Sequence, residues 1–286
     1  MKTLTIGMAT YDDFHGVYFT IQALRLYHPI VETDQVEIII IDNNPDSKHG
    51  EETKNFAGWG KNIKYIPFTE KKTTAVRNEI FKHAEGKYTI CMDPHVLLPQ
   101  GSVDALLNYY SLNPDCKNIV QGPMLYDNLK DISTSFEPKW NDGMYGVWST
   151  EREEYERGEP FSIPMMGLGT FSCETKNWLG FNEDFTGFGG EEWYIHEKFR
   201  QNGGDAICLP NFKWMHRFGR PDGVKYRLKF EDRIWNYFIG WLELYDNVEH
   251  PMIISIYDHF RSKISTKVLN DVRSRAIKHQ NKKRRG

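Results

Sequence analysis

The chain of 286 residues predicts an α/β fold, a mixed and mostly parallel sheet flanked by helices, with a helical appendage at the C-terminal end. Strand-like and helix-like patterns alternate through the first hundred residues, which argues a parallel sheet with covering helices. The strand candidates are short, nearly continuous apolar runs such as VEIIIIDNN (36–44), as expected of strands buried on both faces. Beyond about residue 225 the pattern becomes helical: Phe230, Ile234, Tyr237, Phe238, Trp241 and Leu244 recur at helix spacing.

The first strand is LTIGMATY (4–11), which alternates imperfectly and ends in a polar cluster. A helix follows around 16–28, with Val17, Ile21, Leu24 and Leu26 on or near one face, closing before Pro29. VEIIIIDNN and IKYIPF (63–68) supply the next two strands. TTAVRNEIFKHAEG (73–86) reads as a helix with Thr73 or Thr74 near its start and Gly86 past its end. KYTICMDPH then opens as a buried strand and stops at Asp93. Residues 127–162 are polar, with aromatic and glycine punctuation, and read as a mobile or acceptor-facing segment whose aromatics could stack on a sugar, a peptide or a base. EEWYIHEKFRQ is an amphipathic helix ended by Gly203 and Gly204. The aromatic stripe after residue 225 reads as a face packed on the main domain rather than a substrate platform, and a further helix starts near Thr266. The expected division is 1–225 for the main domain and 226–286 for a helical extension with a basic tail.

A 40% hydrophobic and 14% aromatic composition is ample for a core. No run of roughly 18 apolar residues exists, so no transmembrane helix is expected. The N-terminus resembles a first strand more than a signal peptide. Four scattered cysteines without a CxxC pair suggest reduced thiols and a cytoplasmic protein. The net charge of −3 is uneven: from Arg261 to Gly286 there are ten Lys or Arg against one acid, a balance of +9, which leaves −12 on the rest. Such a tail is either a solvated terminus or a contact for a polyanion, nucleic acid or anionic membrane.

In parallel sheets ligands sit outside the carboxyl ends of the strands. TATY, DNN and DPH all lie at such ends and should converge on one crevice. Asp93 and His95 are two apart, so in an extended chain they point to the same side. A carboxylate with a neutral imidazole suits Mn²⁺ better than a purely oxygen site for Mg²⁺ or Ca²⁺ would. His216, in WMHRFGRP (214–221), is the candidate third ligand, with Arg217 and Arg220 beside it. A lone histidine is more often a structural hydrogen-bonder; the strand-end location and the Asp-x-His spacing argue for a ligand set. Without HExxH a metalloprotease is unsupported, and without GxxxxGK[ST] so is a P-loop NTPase. An open metal beside guanidinium groups suits a pyrophosphate whose charge grows as it departs. In GFGGEEWYI (187–195) two glycines permit a tight turn and close ligand approach. Glu191 and Glu192 then open a helix whose positive end favours their ionised form, and helix capping alone would also account for them.

Taken in order, TATYDD, IIIIDNN, TTAVRNEIF, MDPH, GFGGEE and MHRFGR resemble the nucleotide-sugar-dependent glycosyltransferases of GT-A (Rossmann-like) fold, over roughly residues 3–220. The Asp-x-His variant is similar to polypeptide N-acetylgalactosaminyltransferases and cytosolic hydroxyproline N-acetylglucosaminyltransferases. The resemblance implies a hexosyl- or N-acetylhexosaminyltransferase moving a sugar from a UDP-sugar to a hydroxyl of a saccharide, a protein or a hydroxymethylated DNA base, with retention of configuration. It implies that Asp93, His95 and His216 hold Mn²⁺ (or Mg²⁺), and that Thr10, Tyr11 and Asp42 hold the nucleoside, with Asp12 and Asn44 beside them. Arg77 would contact the nucleotide or the metal-side carboxylate, and Arg217 and Arg220 would join the donor site. Gly189, Gly190, Glu191 and Glu192 match the segment that binds donor sugar and acceptor. Glu192 is the base if the enzyme inverts; if it retains, Glu191 orients the donor sugar. The acidic pair after two glycines also occurs in inverting relatives, so the stereochemical expectation rests on the histidine of the metal motif. A nucleotidyltransferase acting on sugar phosphates is the alternative enzyme, although TATYDDFHG lacks its triphosphate-loop lysine. A nucleotide-sugar-binding protein without turnover is the alternative non-enzyme.

Overall fold

Apolar runs become strands where both faces can be covered, and Val36–Asp42 is buried at every position. In the computed structural model, which describes residues 2–219, 223, 225 and 228–284, the strands are β1 (Lys2–Thr10), β2 (Val36–Asp42), β3 (Ile63–Pro67), β4 (Gly86–Met92), β5 (Val96–Leu97), β6 (Ile119–Gln121), β7 (Met124–Leu125), β8 (Ile132–Ser133), β9 (Ser135–Asn141), β10 (Met144–Ser149), β11 (Phe161–Ser162), β12 (Thr170–Glu174), β13 (Ala206–Cys208) and β14 (Trp214–His216). Eight of them form one sheet in the order β11-β13-β6-β12-β4-β1-β2-β3. The pairs β1–β2, β1–β4, β2–β3 and β6–β13 are parallel, and β12 enters antiparallel between β4 and β6. The helices are α1 (Phe14–Tyr27), α2 (Lys48–Ala57), α3 (Asn78–His83), α4 (Ser102–Leu112), α5 (Arg152–Arg157), α6 (Glu191–Gln201), α7 (Phe230–Tyr245), α8 (Pro251–Phe260) and α9 (Thr266–Lys283).

A second sheet, β5-β14-β7-β8, matters more for the site. In it β14 runs antiparallel to β5 with His216 opposite Val96. Cross-strand neighbours lie about 5 Å apart, so this register brings a histidine from far along the chain next to the Asp93–His95 turn.

Three local expectations change. The segment 73–86 starts as a 3₁₀ turn over Thr74–Arg77, and only Asn78–His83 is α-helical. The Thr73 hydroxyl, by accepting from the Ala75 N–H, fixes the tight entry. Within 127–162, the segment expected to be mobile or acceptor-facing, β9 and β10 form a hairpin. Its Trp140 and Tyr145 pack among Tyr237, Trp241 and Phe260 with ring centres 4.9–5.6 Å apart. Those aromatics are therefore spent on packing against α7 and α8, although Trp148 remains partly exposed beside Phe136 and Phe218. The extension also contains α8, which begins with Pro251 in the first turn and the His250 ring accepting from the Met252 N–H.

The basic C-terminal segment is a docked helix. Leu269, Val272 and Ala276 of α9 are buried, and several side chains meet carboxylates elsewhere in the chain: Arg273 meets Glu249, His279 and Lys283 meet Asp184, and Arg284, just past the helix, meets Asp246.

Candidate active site

The carboxyl ends of β1, β2 and β4 open on one crevice lined by Thr10, Tyr11, Asp13, Asn43, Arg77, Asp93, Pro94, His95 and Phe188, among others. The convergence of TATY, DNN and DPH is thus present. Asp93 and His95 of this lining meet His216 beside it: the ligand atoms of the three all lie within 4.8 Å of one another. Asp93 Oδ2 is 3.5 Å from His216 Nε2 and 3.9 Å from His95 Nε2, and the two imidazoles meet edge to face with centres 4.8 Å apart. One carboxylate oxygen and two imidazole nitrogens are a donor set for a divalent ion of intermediate softness. Three observations fit an ion there with a ligand beside it. His216 Nδ1, Thr10 Oγ1 and Glu191 Oε2 are buried without a hydrogen-bond partner among the described residues. Burial pushes the Asp93 carboxyl up, but His216, Arg77 and His95 outweigh it and hold it below the ordinary carboxylate range. The Asp93 N–H is fixed by the Gly169 carbonyl at 2.9 Å.

Arg77 joins this cluster to the acidic pair. Its guanidinium lies 3.7 Å from Glu191 Oε1 and 3.4 Å from the Leu168 carbonyl. Burial pulls its pKa down, and Asp93 and Glu191 more than reverse that. Glu191 is 4% exposed and accepts from the Thr74 hydroxyl at 2.7 Å. Glu192 is also buried; the burial first, and the charge of Glu191 second, push its carboxyl up to about 7. Gly189 and Gly190 have φ of +100° and +92°, and a Cβ on Gly189 would sit 2.5 Å from Arg233 Nε, so both the conformation and the close approach require glycine.

On the nucleoside side the expected residues divide. Thr10, Tyr11 and Arg77 face the crevice, with the Lys72 ammonium 5.2 Å from the Tyr11 ring centre. Asp42 is buried at the end of β2, where Tyr65 donates to Oδ2 at 2.8 Å and the Asn44 N–H donates to Oδ1 at 2.9 Å. Burial raises its pKa despite these bonds. Asp12, at φ +52°, accepts from the Asn44 amide at 3.1 Å, so Asp12 and Asn44 brace the loop while Asn43 lines the crevice. The Arg217 side chain is exposed and donates to the Gly219 carbonyl at 3.2 Å, while its N–H donates to the His95 carbonyl. Arg220 lies outside the described residues.

Sequence reasoning missed Asp13, Thr74, Arg233 and Asn236. Asp13 carried a signal, since an aspartate immediately before a helix is an N-cap candidate. The last two come from α7 and had no local signal: Asn236 is fully buried and bonds three main-chain groups of the loop 186–189.

No protein of curated function matches the chain. Among solved structures, GalNAc-T7 with UDP, GalNAc and Mn²⁺ superposes with a TM-score of 0.72 at 15% identity, over 96% of this chain and 54% of that one. This chain thus spans about half the length of GalNAc-T7. TarS 1–349 of S. aureus with UDP-GlcNAc gives 0.59 at 13% identity, over 95% and 79% of the two chains. The mannosyltransferase PcManGT from Pyrobaculum calidifontis with GDP-Man and Mn²⁺ gives 0.53 at 14%, over 96% and 79%. These likenesses establish the expected GT-A fold. Residues 5–152, more than half of the sequence and including β1–β4 with Asp93 and His95, match the glycosyl transferase family 2 domain, and the chain belongs to that family.

Proposed function

We propose that this protein transfers a sugar from a UDP-sugar to an acceptor hydroxyl at the crevice, using Asp93, His95 and His216 to hold Mn²⁺. The observation that carries the reading is the meeting of these three side chains at a crevice that Asp93 and His95 line, with Arg77 close to Glu191. When bound, a divalent cation there would offset negative charge on the departing diphosphate. The protein's own groups do the rest. Thr10, Tyr11 and Asn43 line the place of the nucleoside, beneath which Asp42 is already bonded to Tyr65 and Asn44. Arg77 supplies a fixed positive charge between metal ligands and acidic pair. Glu191, anchored by Thr74, leaves Oε2 free of any partner among the described residues to accept from a sugar hydroxyl.

Glu192 separates two stereochemical outcomes. The Asp-x-His motif suggests retention. Glu192, at the start of α6 with its carboxyl pushed up to about 7 by burial, would be the base if the enzyme inverts, because proton acceptors work best with pKa values near the operating pH. The anomeric configuration of the first product, read by NMR, decides between them.

For the acceptor, the tail argues less for nucleic acid, because Arg273, Lys283 and Arg284 are already engaged by Glu249, Asp184 and Asp246. A saccharide or protein hydroxyl is the acceptor class we adopt. Four buried free thiols fit the cytoplasm, and no helix among the described residues is long and apolar enough to cross a membrane.

The test is a screen of nucleotide-sugars with Mn²⁺ or EDTA, following transfer or slow donor hydrolysis. Asp93→Ala or His95→Ala should cost on the order of 10²-fold or more, as loss of a key electrostatic group does. Full transfer by either variant, or by the EDTA-treated enzyme, would falsify the assignment.

A further inference from the structure

We propose that Asp13 is the positioning residue that makes His95 a metal ligand, by fixing its tautomer and its aim. The inference rests on Asp93, His95 and His216 being a metal site, and extends it to a residue outside the ligand set.

Asp13 Oδ2 lies 2.9 Å from His95 Nδ1. A carboxylate can only accept, so in the neutral ring the proton resides on Nδ1 and the lone pair is left on Nε2. Nε2 is the nitrogen that faces Asp93 Oδ2 across the ligand cluster, at 3.9 Å. The other tautomer would put a hydrogen where an ion must sit. Imidazole ligands are held in this way by a carboxylate or carbonyl on the remote nitrogen, which both orients the ring and raises its basicity.

Asp13 is itself held by the fold. Its Oδ1 accepts the Gly16 N–H at 3.1 Å, capping α1. An N-cap needs only one oxygen; here the second is turned onto the imidazole. The same helix face also grips the metal motif. The Thr20 hydroxyl lies 3.0 Å from both the Pro94 and the Val96 carbonyl oxygens. A Cβ on Gly16 would fall 2.5 Å from the Pro94 carbonyl and 2.6 Å from Asp13 Oδ2. Asp13, Gly16 and Thr20 are spaced at three and four, the spacing of one helix face. The start of α1 is thus a cradle for residues 93–96, and Asp13 is its contact with the ring that matters.

The test uses the full chain, Mn²⁺ in the presence of UDP, and two readouts. Free Mn²⁺ is followed by its EPR signal, and the His95 tautomer is read from long-range ¹H–¹⁵N correlations in metal-free, histidine-labelled protein. Asp13→Ser keeps a capping hydroxyl but leaves Nδ1 without the carboxylate. Asp13→Asn keeps shape; with its oxygen kept on the Gly16 N–H, its amide donates to Nδ1 and drives the ring proton to Nε2, and in the flipped orientation it loses the cap. Both variants should weaken Mn²⁺ binding by about 10- to 100-fold and shift the proton from Nδ1 toward Nε2, with a denaturation midpoint near that of the wild type for Asp13→Ser. Wild-type Mn²⁺ affinity in the variants, or a wild-type ring protonated on Nε2, overturns the proposal; the second measurement needs no variant to fold. Asp93→Ala is the control. If it binds Mn²⁺ as the wild type does, the metal-site reading has failed, while the tautomer still decides whether Asp13 governs His95.

Discussion

Replacing Asn236 by alanine tests whether the loop carrying the acidic pair is held in place from the C-terminal helices. The side chain is fully buried on α7. Its Oδ1 accepts the Thr186 N–H at 2.8 Å, and its amide donates to the carbonyls of Thr186 at 2.8 Å and Gly189 at 2.9 Å. Alanine strands one N–H and two carbonyl oxygens around a small cavity. Each stranded group costs about 1–3 kcal/mol, but a carbonyl retains a second lone pair and a glycine-rich loop can shift. The total should be about 2–4 kcal/mol, at the upper end of single-substitution effects. The same relaxation displaces Gly190, Glu191 and Glu192. A displacement of about 1 Å at reacting groups is worth roughly 10²-fold in rate. Urea unfolding followed by circular dichroism gives the first quantity, and steady-state sugar transfer the second; the loss should fall mainly on kcat. Asn236→Asp sharpens the test, since it preserves size and the Thr186 acceptor while setting a carboxylate against two carbonyl oxygens. It should be at least as damaging at neutral pH. If Asn236→Ala loses under about 0.5 kcal/mol and turns over at the wild-type rate, the loop is not held from α7.

Other outcomes follow from single contacts. Glu192 has a folded pKa of about 7 against an ordinary 4.5, so its proton binds more tightly in the folded state. Stability from this group is full below 4.5 and is lost as pH rises through 7, by up to about 3 kcal/mol. Urea unfolding at pH 5 and 8 should show that slope, and Glu192→Gln should flatten it; a wild-type slope in the variant contradicts the buried-carboxyl account. Leu269→Ala, at a fully buried position on α9, should cost about 2–5 kcal/mol, whereas a near-neutral result would mean that α9 is not docked. Removing residues 278–286 should leave duplex DNA binding weak and unchanged; a steep salt dependence abolished by the truncation would restore the polyanion reading.

How much of this was legible in the sequence depended on the range of the interaction concerned. Val36–Asp42 and Gly86–Met92 announce themselves because a strand covered on both faces must be apolar at every position, and their polar ends mark the crevice without any tertiary knowledge. The glycine pair at 189–190 was legible because a tight turn at φ of +100° and +92° strongly favours glycine. His216 could be suspected but not placed, since only the pairing of β14 with β5 sets it opposite Val96. Asn236 looks like one polar position in an aromatic helix until the loop it bonds is seen. The aromatics of the β9–β10 hairpin misled for the opposite reason: Trp140 and Tyr145 look like a platform, but their partners Tyr237, Trp241 and Phe260 lie a hundred residues away.

The site therefore has two halves with separate supports. Asp93 and His95 are seated on the start of α1 through Asp13, Gly16 and Thr20, all near the N-terminus. Glu191 and Glu192 are seated on α7 through Asn236 and Arg233, near the other end of the chain. Arg77 is drawn by charge to both, through Asp93 on one side and Glu191 on the other. Substitutions in one support should leave the other intact, so Asp13 variants belong to metal affinity and Asn236 variants to turnover. Their free-energy effects should then add when combined, as those of separated sites do. Arg77→Ala should couple with both, because removing the bridging charge changes what each half gains from the other.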